Sequence, residues 1–120
     1  MTNSVRGIVS QEIDGERLEF CLSANEWCEL EDEFGKKTDE ILKEFGTMAE
    51  NEQLDMRLLR SIFRAAVSYS KQNITLQEAG VLMRSLGLVE SAALIGTVIV
   101  ASMPEVKASP AGKPKRAAAR

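Results

Sequence analysis

The stretch Leu54 to Tyr69, LDMRLLRSIFRAAVSY, constrains the chain more than any other. Its apolar residues are Leu54, Leu58, Leu59, Ile62, Phe63, Ala66, Val67 and Tyr69. They recur at steps of three and four, one broad stripe of an α-helix. Arg57, Arg60, Arg64 and Ser68 fall on the other side. Asp55 stands where a helix start favours a side-chain acceptor and a negative charge. The cost of ordering the backbone is comparable to what burial of this stripe returns, so the helix needs neighbours. The stripe is too wide for one neighbour. It reads as a central helix around which the others pack, with a partner-binding groove on the same stripe as the alternative.

The flanking elements must supply that cover. Val5 to Ile13 and Glu16 to Leu22 flank Asp14-Gly15, a pair that supplies the positive φ angles of a two-residue hairpin turn. Pairing across the turn sets Glu12 against Arg17, Val9 against Phe20 and Ile8 against Cys21. Leu18, Phe20 and Leu22 alternate and form one buried face. Ile8 and Cys21 then lie on the outward face. A lone two-stranded hairpin is marginal in water, so it must lie on helices, pair with another chain, or both.

Ser23 with Glu26 has capping-box spacing and opens a helix, ANEWCELEDEF, that stops at Gly35. Ala24, Trp27, Leu30 and Phe34 read as its inward side, and Glu26, Glu29, Asp32 and Glu33 as its outward side. A short helix follows from Thr38 to Phe45, with Gly46 as its cap and Thr47 to Gln53 as a polar connection. After the central helix, Ser70 to Asn73 reads as a turn. Thr75 with Glu78 repeats the capping-box spacing and opens LQEAGVLMRSL, ending at Gly87. Leu76, Ala79, Leu82, Met83 and Leu86 point one way. Val89 to Ser102 is read as a last, mostly apolar helix, although its VIV run also suits a strand. The expected fold is therefore α+β and mostly helical: an N-terminal β-hairpin followed by four or five packed helices, forming one domain over residues 1–103. Met1 to Ser4 are expected to fray. Residues 104–120, rich in Pro, Gly, Ala, Ser and Lys, are expected to form a disordered basic tail.

Charge and residue inventory narrow the function. Residues 1–102 hold 17 acidic and 10 basic residues, against one acidic and five basic in residues 103–120. An acidic body argues against a broad nucleic-acid surface. The basic tail, with Lys113, Lys115 and Arg116, offers at most a weak, salt-sensitive grip on nucleic acid or an acidic partner. The chain has no histidine, which removes the usual general base and the commonest zinc ligand. Cys21 and Cys28 fit neither a zinc ribbon nor a disulfide scaffold. The acidic surroundings of Cys28 would dull its thiol. No phosphate loop, nucleophile elbow or Cys-His pair is present. The chain reads as non-enzymatic, with no catalytic, cofactor or metal residues expected.

Two local likenesses fail on their residues. ITLQEAGVLMRSLG looks like the second half of a calcium-binding helix–loop–helix, but Val67, Tyr69, Lys71 and Gln72 fall where ligands and a glycine are needed. Leu76–Leu86 with Val89–Ser102 could form a helix–turn–helix, but the second helix offers almost no side chain to read bases. Five acids within Glu26–Glu33 read as a solvated face or as an acidic docking face for a basic partner. The residues singled out for partner binding are Ile8, Cys21, Val98, Val100, Glu29, Asp32 and Glu33. The last helix is apolar nearly all round, more than one inward face requires. A homo-oligomer held through the hairpin edge or the last helix is expected. No signal peptide and no membrane-length apolar run is visible, so a cytoplasmic location without membrane association is expected.

A family likeness covers Val5 to Pro104. IDGERLEFCLS in the hairpin, NEWCELEDEFG, the central helix and ITLQEAGVLMRSLG, ending near SMPE, together resemble the small tail proteins of gene transfer agents and related phages. These are described as tail tube or tail assembly chaperone proteins. The resemblance implies a non-enzymatic factor that binds the tape-measure and tail tube proteins while a tail is built. It also implies a bacterial host cytoplasm, or a virion location if the protein stays in the particle. A structural tail tube component is the alternative, and a small regulatory protein using the basic tail is a further one. The single readable hairpin favours the chaperone, since a tube subunit needs strands enough for a continuous inter-subunit sheet.

Overall fold

The computed structural model describes residues 7–102. The expectations placed on Met1 to Ser4, on the first residues of the hairpin and on the tail lie outside the described residues. The chain order is β1 (Val9–Ile13), β2 (Glu16–Phe20), α1 (Ala24–Phe34), α2 (Thr38–Asn51), α3 (Met56–Val67), α4 (Leu76–Leu86) and α5 (Leu88–Ser102). This is the α+β, mostly helical fold expected, with five helices after the hairpin among the described residues.

The hairpin follows its turn chemistry. Asp14 at φ 54° and Gly15 at φ 79° both occupy the positive-φ region that such a turn requires. The ladder pairs Val9 with Phe20, Ser10 with Glu19, Gln11 with Leu18, Glu12 with Arg17 and Ile13 with Glu16. It ends at Val9 and Phe20, so the expected pairing of Ile8 with Cys21 does not form. Ile13, Leu18 and Phe20 are buried on the inner face, while Ser10, Glu12, Arg17 and Glu19 are exposed on the outer one. The Phe20 ring meets Phe63 of α3 edge-on, with centroids 5.2 Å apart.

Helix α3 is central, touching β2, α1, α4 and α5. The Asp55 carboxylate accepts from Leu58 N–H at 3.1 Å and caps its start. Leu59, Ile62, Phe63, Ala66 and Val67 are wholly buried, as the stripe demands. Leu54 and Tyr69, read as part of that stripe, are instead exposed: both lie beyond the helical residues, where the period no longer fixes their direction.

The other caps explain most of the boundaries. At α4, Glu78 N–H donates to Thr75 Oγ1 at 3.1 Å and Thr75 N–H to Glu78 Oε1 at 3.0 Å, a complete capping box. At α1, Ser23 N–H and its hydroxyl both donate to the Glu26 carboxylate. Ala24 is exposed rather than inward, since the first turn of α1 extends past the core. Helix α2 runs on through Gly46 to Asn51. Met48 lies one turn beyond Phe45 and is buried, extending the stripe Ile41, Phe45 and Met48. Burial of Met48 outweighs the roughly 1 kcal/mol that a glycine costs inside a helix. The end of the chain resolves as helix. Ser91, Leu94, Ile95 and Val98 form the buried side of α5, a helical and not a strand-like spacing. Helices α4 and α5 meet at 109° around Gly87, whose φ is 110°. No single helix among the described residues is long and apolar enough to cross a membrane.

Candidate functional site

The residues singled out from sequence occupy different environments. Val98 is fully buried against the core, and Val100, half a turn on, is exposed. Cys21 is buried just beyond β2, with its N–H donating to Ala66 O at 3.1 Å. Burial, and then the nearby Glu26 carboxylate, push its thiol pKa up, so it is a poor nucleophile. The outward placement expected for Cys21 is therefore corrected. Cys21 lies outside the core cluster that holds Phe20 and Leu22, and it is buried because Gly7 and the end of α5 come together beside it. Ile8 is half-buried ahead of β1. A side chain on Gly7 would lie within 4 Å of Cys21 Sγ, Ala101 O and Ser102 Cα, so the start of β1, the end of β2 and the end of α5 converge.

The acidic face of α1 is partly spoken for. Glu29 accepts from the Arg64 guanidinium at 3.1 Å, and Glu33 accepts from the Ser61 hydroxyl at 2.5 Å. Both therefore tie α1 to α3, whereas Asp32 remains exposed. Among the described residues, no group of three or more His, Cys, Asp or Glu side chains is placed to hold a metal ion.

The surface that stands out lies elsewhere, where α3, α4 and α5 meet. Met56, Arg57 and Arg60 of α3, Gly80 and Met83 of α4, and Leu88 of α5 line one groove. Met56 is 43 % exposed and Leu88 40 %, large apolar side chains left in contact with solvent. The Arg60 stem lies over Gly80, where a Cβ would sit at an ordinary contact distance of 3.6 Å from Arg60 Cδ. Arg60 Nε is buried without a hydrogen-bond partner among the described residues. Arg64, one turn along, is neutralised by Glu29, whereas Arg57 and Arg60 have no carboxylate partner among the described residues.

The outward side of α5 forms a second, separate surface. Val89 is 75 % exposed and Val100 54 %. Ala93, Gly96, Thr97, Val100 and Ala101 line a shallow depression between them. The spacing of Val89, Ala93, Thr97 and Val100 places them on one helical stripe. This bears out the surplus of apolar surface read from the last helix. The arginine groove escaped sequence reading because three arginines opposite an apolar stripe look like an ordinary solvated side.

No protein-family model, curated protein or solved structure matches the chain.

Proposed function

We propose that the chain is a non-enzymatic binding factor of the phage-like tail assembly chaperone type, acting on the tape-measure and tail tube proteins. The observation that carries this reading is the exposed apolar surface at two places, the α3–α4–α5 groove and the outward side of α5. The groove leaves large apolar side chains exposed beside two guanidinium groups that have no carboxylate partner among the described residues. Such a surface suits a helical client that presents an apolar stripe edged by carboxylates. Aliphatic contacts would supply affinity, and Arg57 and Arg60 would select orientation. The two-stranded sheet favours an assembly factor over a tube subunit, since it has too few strands for a continuous tube wall.

The test is co-expression with a tape-measure protein from the same genome. The expected result is a soluble complex that co-elutes with the wild-type chain and is lost with Arg57→Glu or Val89→Asp. Mass spectrometry of purified particles decides between the two tail roles. Absence from the particle supports a chaperone, and abundance comparable to the tube protein overturns it in favour of a structural component.

A further inference from the structure

The two edges of the hairpin differ. In an antiparallel pair, alternate residues turn their backbone N–H and C=O toward the partner strand and away from it. A two-residue turn makes Ile13 and Glu16 a hydrogen-bonded pair, so Gln11 with Leu18 and Val9 with Phe20 follow. The outward groups of β2 then belong to Arg17 and Glu19, and to Cys21 beyond the strand. Its middle and end are occupied: Glu19 N–H donates to Ser70 Oγ at 3.1 Å, the Ser70 hydroxyl donates to Glu19 O at 2.9 Å, and Cys21 N–H donates to Ala66 O. The outward groups of β1 belong to Ser10 and Glu12. There the single contact among the described residues is local, from Gln11 Nε2 to Glu12 O at 3.1 Å. Both residues are exposed, and no further strand pairs with β1 among the described residues.

We infer that β1 pairs with β1 of a second copy of this chain, antiparallel and centred on Gln11, to give a four-stranded sheet across a two-fold axis. The strand's own sequence selects this occupant. Centring on Gln11 places Ser10 opposite Glu12 of the second copy twice over, and each such pair exchanges two backbone hydrogen bonds. On the inner face, Val9 meets Ile13 of the second copy, apolar against apolar, and Gln11 meets its own equivalent. No like charges stand opposite. Moving the centre to Glu12 would set two glutamates face to face, and moving it to Ser10 would set Val9 against Gln11 and require Ile8, which lies outside the strand. The blocked edge of β2 stops the sheet at four strands, so the assembly closes as a dimer. The inference is independent of the proposed function, since it uses neither the arginine groove nor α5.

Sedimentation equilibrium of the full chain from low to high micromolar concentration is the first test, with a dimer expected. Ser10→Pro and Glu12→Pro each remove an outward N–H without removing a bond within the hairpin. Each should weaken the dimer about ten- to a hundred-fold while circular dichroism stays unchanged. Gln11→Cys in a Cys28→Ser background tests the register. The two symmetry-related residues would face each other with Cα atoms about 4.5 Å apart, within reach of a disulfide, so mild oxidation should convert the chain to covalent dimer. A wild-type monomer at high micromolar concentration overturns the inference, as does a dimer that both prolines leave intact. If a proline variant unfolds, the cross-link decides: covalent dimer supports the pairing, and its absence in a chain that otherwise dimerises overturns it.

Discussion

Helices α3 and α5 are both rich in apolar residues, yet the fold uses them differently. In α3 the apolar side is consumed: Leu58, Leu59, Ile62, Phe63, Ala66 and Val67 are all buried, and the arginines take the opposite side. In α5 the buried side is Ser91, Leu94, Ile95 and Val98, while Leu88, Val89 and Val100 stay in contact with water. Apart from Met56 at its first turn, an apolar residue in α3 is thus explained by the core, and one in α5 is explained only in part. Burial accounts for a helix when its polar residues fall on the solvent side. Where aliphatic residues continue around the helix, something beyond the fold is needed to explain them.

The sharpest test of that difference lies within α5 itself. Val98→Asp places a charge among fully buried apolar neighbours with no partner, and the chain is expected to unfold. Val100→Asp, two residues on, should change stability by no more than ~0.5 kcal/mol, because the residue is exposed. Chemical denaturation of the two variants measures both. Equal losses would mean that α5 is buried all round and that its outer stripe is no surface.

A second comparison sets α3 against α5. Phe63→Ala removes a fully buried ring that also packs against Phe20, and should cost about 3–5 kcal/mol. Val89→Ala should lie within ~0.5 kcal/mol of wild type. Denaturant midpoints at unchanged slope provide the reading. A large loss at Val89 would move the first turn of α5 into the core.

Gly80→Ala sharpens the account of the groove. The added methyl meets Arg60 Cδ at 3.6 Å, an ordinary contact, and the glycine has no positive φ to lose. Helix propensity then favours alanine by about 0.5–1 kcal/mol, and a small rise in stability is expected. A fall would show that the Arg60 stem cannot yield.

How far these contrasts could be read in advance depended on how local their causes were. The hairpin register followed from Asp14-Gly15, and α4 began at Thr75 because its capping box involves only near neighbours. The stripe of α3 was legible because its period continues over several turns. Gly46 misled because a glycine signals a cap only if no buried residue lies beyond it, and Met48 does. Cys21 misled because its exposure depends on chain brought beside it by tertiary packing, Gly7 and the end of α5, which alternation along the strand does not reveal. The arginine groove was illegible for a different reason. Which carboxylates reach which arginines depends on helix packing, and only Arg64 lies where an α1 glutamate reaches it.

The smallest expected effect comes from a titratable contact outside both helices. Thr38, at the start of α2, donates its hydroxyl at 2.7 Å and its backbone N–H at 2.9 Å to one oxygen of Glu31. The hydroxyl and then the backbone bond hold the Glu31 carboxyl below its ordinary value of 4.5, with Lys37 adding to the shift. These donors favour the ionised form, so the native state binds the proton less readily than the unfolded chain. The stabilisation is therefore present above the ordinary value and is lost as pH falls through the lowered one. Thr38→Val removes the hydroxyl and keeps the backbone donor. Its melting temperature should lie slightly below wild type at pH 7, and the gap should close under acid. The Phe63→Ala deficit, by contrast, rests on a cavity rather than a proton and should persist while the chain remains folded. Thermal melts of both variants over the acid range measure the two behaviours together. A Thr38→Val gap that is constant with pH would mean that the hydroxyl acts by packing and not through the carboxylate.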